Sequence, residues 1–595
     1  MPVASIDQPP TVLRTECGGG AFTLHSPEPL QPYARCVGEW LEQWARDTPG
    51  APAFAEPAQA GAWTTLSWRE LRHRVGAVAQ SLLDLRLPAG RPVVVLSDNG
   101  LDHLVLVLAG MHIGRAVCSI SSAYCRLAQG DFTRLHAIVH ALEPSLLYAS
   151  DAGIYAPALF GEGYEAIAVY SEGAGAATGS LAFAELLATQ ETPAVMAAFA
   201  AVTPETDAKY LLTSGSTGQP KAVINSQRML CANQQMVAQG WTVLHGHKPV
   251  LLDWLPWSHT FGGNHNVNLV LRSGGTMYID DGRPVPGLIE RTLAHLREVQ
   301  PTVHFNVPRG YEMMLPALEC DHVLARRFFE TARMVFYAGS GMPPATWQRL
   351  QSVAATVRDE PLFLTTSWGS TETSPAVTAL SWRVQQPGVI GLPLPGVTVK
   401  FVPNAGKLEM RVKGEHVFHA YRGDPQATRA AFDDEGFYRI GDAGALLDAA
   451  DARQGIVFDG RLAEDFKLTS GTWVSVGTLR VKLVSALAPH AQDVVITGHE
   501  RSQIGALVFL TEAARGLPGD TLARHVRDAL RTLQGAAGGS SQAPQRALLL
   551  ADSPNAAVGE ITDKGYLNQR LVLTRRAAEV DALYATPPSA RVILA

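Results

Sequence analysis

The sequence predicts an α/β protein: a large N-terminal domain of doubly wound α/β subdomains plus a small β-barrel, with a smaller α+β C-terminal domain. Three observations carry this. From Arg91 to Ala149, short apolar runs alternate with stretches of helical spacing, the pattern of a parallel sheet covered on both faces. From 387 to 413 the chain changes to short strand-like runs broken by Gly388, Gly391, Pro393, Pro395, Gly396 and Gly406. Beyond 465, the strand-like runs 494–497 and 505–510 precede an amphipathic run from Leu522 to Leu533.

Residues 1 to about 32 are rich in Pro, Gly and Ser and are expected to wrap over the surface. Val37 to Ala45 has the apolar spacing of a helix. A second helix is expected from Leu66 to about Leu85, with Ser67 as N-cap and Glu70 completing a capping box. The run 91–99 reads as a buried strand, 102–113 as its helix and 117–121 as the next strand. A helix over 131–142 and a strand over 145–149 follow. All of this is scaffold; no catalytic cluster precedes residue 210.

The totals bound the function. At 595 residues the chain suffices for about three to five core-forming units, and 46% hydrophobic content supplies their cores. The net charge of -6 is spread along the chain without a basic stripe, which argues against nucleic acid as a partner. Six cysteines stand far apart with no C-x-x-C, as expected of reduced thiols in a cytoplasmic protein without a zinc site or disulfide frame. The first residues lack the pattern of a signal peptide, and no stretch approaches the about 20 apolar residues of a membrane span.

Chemistry begins after Tyr210–Leu212, the end of an expected buried strand. Thr213, Ser214, Gly215, Ser216, Thr217 and Gly218 follow, a composition no core favours. Glycines let a backbone turn sharply and approach a ligand, while hydroxyls and N–H groups donate to phosphate oxygens. Lys221 adds a cation. The spacing is not that of a P-loop, because Pro220 and Ala222 stand where its second glycine and magnesium-holding hydroxyl belong. Taken alone, the stretch also fits a solvated Ser/Gly loop.

This T-S-G-S-T-G-x-P-K run resembles the phosphate loop of the adenylate-forming superfamily, which includes acyl-CoA and aryl-CoA synthetases, peptide-synthetase adenylation domains and beetle luciferases. The following A-V-I-N-S-Q-R-M-L, 222–230, is most similar to the bacterial feruloyl-CoA synthetases. The likeness runs from about residue 30 to the end. It implies that residues 213–218 and Lys221 hold pyrophosphate. In P-W-S-H-T-F-G, His259 would flank the acyl pocket, although a surface-loop histidine has the same appearance. Gly339, Ser340 and Gly341 would lie along adenine, although an ordinary strand-to-helix turn has the same composition. In W-G-S-T-E, Trp368 would stack on adenine beside Gly369, and Thr371 would bind phosphoryl oxygens. Glu372 would hold Mg²⁺, a hard cation that takes oxygen ligands, although a Glu there can also serve a helix N-terminus. Asp442 would grip the ribose hydroxyls, or else be a turn residue, and Arg461 would reach ribose and phosphate.

The same resemblance places a hinge at Ala463 or Glu464, where the family has Asp or Lys, and so divides the chain into 1–461 and 462–595. Gly471 would line the pantetheine tunnel. Lys564, in E-I-T-D-K-G-Y, would be the adenylation lysine, although strict family spacing falls on Tyr566. The implied substrates are ATP, CoA and a small-molecule carboxylic acid, with Mg²⁺. Ferulate or a related hydroxycinnamate is expected, with Trp254, Trp257, Phe261 and Phe305 around the inferred pocket. Another acid, a carrier protein as acceptor, a luciferase-type oxygenase and an inactive nucleotide-binding regulator are the alternatives. A homodimer is left open.

Overall fold

The computed structural model describes residues 6–58, 61–128, 130–159, 163–176, 179–213, 220–404, 406–470, 472–536, 543–555, 558–561 and 567–595. One sheet runs in the order Lys221–Ser226, Asp207–Thr213, Val117–Ile120, Val93–Leu96, Leu146–Asp151, Ile167–Glu172, Leu181–Ala182. All neighbours are parallel except the first pair. Alternation along Val93–Leu96 explains the two layers. Val93 and Val95 share a core with helix Leu101–His112, and Val94 and Leu96 share another with helix Thr133–Leu142. Helix Trp68–Asp84 starts at the expected capping box: Ser67 Oγ accepts from Glu70 N at 3.3 Å, and Glu70 accepts from Ser67 N at 2.8 Å.

A second sheet holds the site. Strands Val303–Asn306, Met334–Tyr337 and Leu364–Gly369 are parallel. Pairing then turns antiparallel through Ala376–Ala379, Val389–Pro393, Ile456–Arg461, Tyr438–Leu446, Lys407–Lys413 and Thr398–Asn404. The short strands expected to form a barrel are the antiparallel end of this open sheet; among the described residues no pairing closes it. Its edge is a hairpin, Leu13–Gly18 with Ala21–His25, in the region expected to wrap over the surface. Gly19 and Gly20 adopt φ of +60° and +80° at its turn, and Phe22 stacks on Phe401 at 4.7 Å. With Phe22 and Leu24 as its buried pair, the alternation is too short to read from sequence. Helix Pro308–Cys320 begins at Pro308, because proline fits the first helical position.

The C-terminal unit has strands Ala491–Thr497, Gly505–Leu510, Arg546–Leu550 and Val592–Leu594. Helices Val476–Ala486 and Gly519–Ala536 share one core with it, and Gln569–Arg575 and Ala577–Tyr584 another. Among the described residues no helix is long and apolar enough to cross a membrane.

Candidate active site

The last register pair of strands Asp207–Thr213 and Lys221–Ser226 joins Thr213 to Lys221, which flank the hydroxyl-rich stretch. Ser214, Gly215, Ser216, Thr217 and Gly218 lie outside the described residues, as do Gly471 and Lys564. Lys221 Nζ sits 4.8 Å above the Tyr421 ring. Tyr421 is brought there by its backbone: Ile224 N donates to Ala420 O at 3.2 Å and Arg422 N to Ala222 O at 2.8 Å. The Tyr421 hydroxyl donates to Glu372 Oε1 at 3.0 Å, and Phe418 N donates to Glu372 O at 2.8 Å. A strand of the first sheet is thereby tied to the loop leaving Leu364–Gly369 in the second. Burial, then the neighbouring Glu372, pushes the Tyr421 phenol up, so it remains a donor.

Thr371 and Glu372 lie on a buried single turn, Thr371–Thr373. The chain enters it so tightly that a Cβ on Gly369 would sit 1.8 Å from Pro375 O. Glycine is therefore required there by close backbone approach, whatever binds nearby. One strand position earlier, Trp368 is buried, and its Nε1–H donates to Asp442 Oδ2 at 2.8 Å. Asp442 faces Arg461 in strand register, with Oδ1 3.7 Å from Arg461 Nε. Burial pushes the Asp442 carboxyl above its usual range, against the opposing pull of Arg461 and the indole N–H. Trp368, Glu372, Asp442 and Arg461, 93 residues apart in sequence at the extremes, thus form one wall, with Lys221 at its end.

His259 is half-buried just before a π-helical turn, Thr260–Asn266. The two glycines of that turn pack on backbone: a Cβ would meet Leu255 O at 2.4 Å from Gly262 and Trp257 O at 2.3 Å from Gly263. Asn99 clamps the preceding loop, donating to Leu255 O and accepting from Trp257 N, both at 3.0 Å. Lys209, buried and pushed down to about 8 by desolvation, donates to Gly263 O at 2.8 Å. Gly339, Ser340 and Gly341 are exposed at the end of Met334–Tyr337, with Gly339 at φ +90°. A Cβ on Gly341 would lie 3.5 Å from Val481, so the C-terminal helix Val476–Ala486 borders this edge.

Lys407 ties the C-terminal unit to the larger sheet. Lys407 Nζ, on strand Lys407–Lys413, donates to Asp459 O at 2.6 Å, Ser475 Oγ at 2.9 Å and the Asp465 carboxylate. Its acceptors lie on both sides of the 462–464 turn. The residues flanking Lys564 are paired by the Ile561–Leu567 bridge, and Arg576 donates to Glu560 at 2.8 and 3.0 Å. Sequence reading gave no role to Tyr421, Asn99, Lys209, Lys407 or Arg576; none sits in a run whose composition differs from ordinary scaffold. Among the described residues, the cluster of metal-type ligands is Asp280, Asp281 and His295, and Asp280 is already bonded to Thr292 and His295.

The sequence pattern of the AMP-binding enzyme family matches residues 41–422, and that of the AMP-binding enzyme C-terminal domain matches 470–587. A probable CoA ligase of Humulus lupulus is 24% identical over 327 residues, 52% of this chain and 51% of that protein. The carboxylic acid reductase of Mycobacterium tuberculosis is 26% identical over 554 residues, 82% of this chain and 44% of its own length. The chain thus spans about half the length of these two relatives. The 3-hydroxybenzoate–CoA ligase of Aromatoleum sp. is 26% identical over 455 residues, 74% of this chain and 80% of that protein. In fold, the chain is similar to the anthranilate CoA ligase in complex with anthranoyl-AMP (TM-score 0.73, 17% identity, 93% of this chain and 99% of that one). It is also similar to ATP-bound MatB from Rhodopseudomonas palustris (TM-score 0.69, 21% identity, 91% and 99%).

Proposed function

Because the chain belongs to the AMP-binding enzyme family, we propose that it is an ATP-dependent acid–CoA ligase that activates an aromatic carboxylic acid, ferulate or a related hydroxycinnamate. The observation that carries this reading is the wall from Lys221 through Tyr421 and Glu372 to Trp368, Asp442 and Arg461. Each of these except Tyr421 is singled out in the sequence for one part of a nucleotide, and they meet in one place.

A carboxylate attacks the α-phosphorus of ATP, giving acyl-AMP and pyrophosphate; the CoA thiol then attacks the acyl carbonyl and releases AMP. Such phosphoryl transfer asks mainly for positioning and charge neutralisation. Lys221 and the 213–218 turn hold the leaving pyrophosphate, and Thr371 binds phosphoryl oxygens. Trp368 and the 339–341 edge hold adenine, and Asp442 and Arg461 hold ribose. Glu372 fits Mg²⁺: Tyr421 fixes Oε1, and Oε2 is the oxygen to offer a hard cation. When bound, the metal would neutralise triphosphate charge. Lys564 acts at the carboxylate and α-phosphate, His259 flanks the acid, and Gly471 lines the path of CoA. Residues 1–461 and 462–595 act as two domains that rotate about 462–464 between the steps.

The likeness to the A-PCP didomain of carboxylic acid reductase supports a second reading, transfer to a carrier protein instead of CoA. One assay separates them: AMP release over a panel of cinnamic, benzoic and fatty acids, with and without CoA. CoA-dependent AMP release with a hydroxycinnamate is the expected result. Acid-dependent pyrophosphate exchange that CoA leaves unchanged would favour the carrier, and no exchange with any acid would defeat both.

A further inference from the structure

Beside the His259 segment lies a box of aromatic rings. Trp241, Phe261, Phe305 and Phe336 surround His265 with centroids 5.2 to 6.0 Å from the imidazole. His265 is 1% exposed. Its Nδ1 is 2.9 Å from Asn266 Oδ1, and Asn266 donates its amide to Asp253 Oδ2 at 2.9 Å. With its NH₂ given to a carboxylate, Asn266 offers His265 an oxygen that can only accept. The imidazole hydrogen is therefore on Nδ1. Burial keeps the ring neutral by pushing its pKa down to about 4. Nε2 is then a lone pair in an apolar box, without a hydrogen-bond partner among the described residues. The Trp241 indole N–H, whose ring stands 5.5 Å away at 70°, is a buried donor equally without an acceptor there. Buried polar atoms in native proteins nearly always find partners, so a complementary orphan pair in one box asks for a third group.

We propose that His265 and Trp241 read a hydroxyl on the far end of the substrate acid. The hydroxyl hydrogen goes to His265 Nε2, and its oxygen accepts from Trp241 Nε1–H. A methyl ether could not donate to the imidazole, an ammonium could not accept from the indole, and a bare ring would leave both unpaired. Phe261 is half-buried while the other three rings are buried, so the box opens at Phe261, two residues from His259. On the far side stands Phe336, in the strand that leads to Gly339. The assignment rests on the acid-activating reading above and adds the residues that choose the acid.

The test uses the full chain and two matched acid pairs, 4-hydroxycinnamate with cinnamate and 4-hydroxybenzoate with benzoate. Equilibrium binding is measured by calorimetry for the wild type, His265→Phe and Trp241→Phe, with thermal melts to confirm folding. The wild type is expected to prefer the hydroxylated member of at least one pair by roughly tenfold or more, since a site built to bond a hydroxyl rejects analogues that lack it. His265→Phe is expected to bring that ratio close to one, with the matching change in kcat/KM arising in KM. Should His265→Phe fail to fold, Trp241→Phe must lower the same ratio. A wild type without preference, or a ratio unchanged in a folded variant, overturns the proposal; a buried water would then complete the pair. A wild type that binds the hydroxylated acid selectively but forms no AMP defeats the ligase reading and leaves this assignment standing.

Discussion

Replacing Trp368 by Phe removes one hydrogen bond and keeps a ring in the strand. In the native protein the indole N–H reaches Asp442 Oδ2 at 2.8 Å, whereas Arg461, at 3.7 Å, is 66% exposed and holds the carboxylate weakly. A hydrogen bond to a charged acceptor contributes about 1.5–3 kcal/mol, and the smaller ring gives up at most about 1.5 kcal/mol of packing. The two parts separate with pH. Burial outweighs Arg461 and Trp368, so the folded pKa of Asp442 lies above its unfolded value. The folded state therefore binds the extra proton. The favourable contribution is complete below about pH 4 and is lost as pH rises through the folded pKa. Losing the indole donor, which pulls the other way, raises that pKa further. The gap between variant and wild type should be smallest at low pH, where the carboxyl is neutral, and should widen to about 2–4 kcal/mol at pH 7.5. Urea melts from pH 4 to 8 measure the gap. Pyrophosphate exchange against ATP should show KM rising roughly ten- to hundredfold. A gap of constant size across pH, together with an unchanged KM for ATP, would refute the reasoning, because Asp442 would not then depend on the indole.

Gly263→Ala drives a Cβ to 2.3 Å from Trp257 O, and backbone shifts of that kind cost about 1–3 kcal/mol. The melting temperature should fall and the KM for acid should rise; a wild-type melt would mean the turn adapts freely. Lys407→Met leaves the Asp465 carboxylate, 3% exposed, without its cation, a loss on the order of 3–5 kcal/mol. Proteolysis between 462 and 475 should quicken and the ratio of the two half-reactions should change; if neither moves, Lys407 does not hold the C-terminal unit. Burial raises the Glu560 carboxyl, but Arg576 and Asn555 N more than offset this, so it titrates below its usual range. Its stabilisation is present above about pH 4.3 and is lost as pH falls through the lower folded pKa. Arg576→Ala should therefore lower the melting temperature at pH 7 far more than at pH 3, and acyl-AMP formation should slow; an equal drop at both would exclude the ion pair as the cause.

Much of the scaffold was legible because it depends on local periodicity. The capping box at Ser67, the buried run 93–96 and the amphipathic run inside Gly519–Ala536 each follow from residues within one element. The hairpin Leu13–His25 was not legible, since its strands acquire an inner face from Phe401, nearly four hundred residues away. At the site, composition alone marked the hydroxyl-rich stretch from Thr213, and the likeness to a family singled out Glu372, Asp442 and Arg461. Nothing in the sequence marked Tyr421, because a tyrosine after Ala420 looks like core until Ile224 and Arg422 fix it over Glu372.

The sequence by itself determined many of the strands and helices and singled out the loops whose composition suits phosphate and metal ligands, because propensity, periodicity and turn composition act over a few residues. Tertiary structure decided what those loops face. Trp368 turned its N–H to Asp442, Lys221 settled over Tyr421, and His265 was left with a bare nitrogen among four rings. Such pairings arise from register and packing between distant strands, whose energies depend on positions in space that no short stretch of sequence encodes.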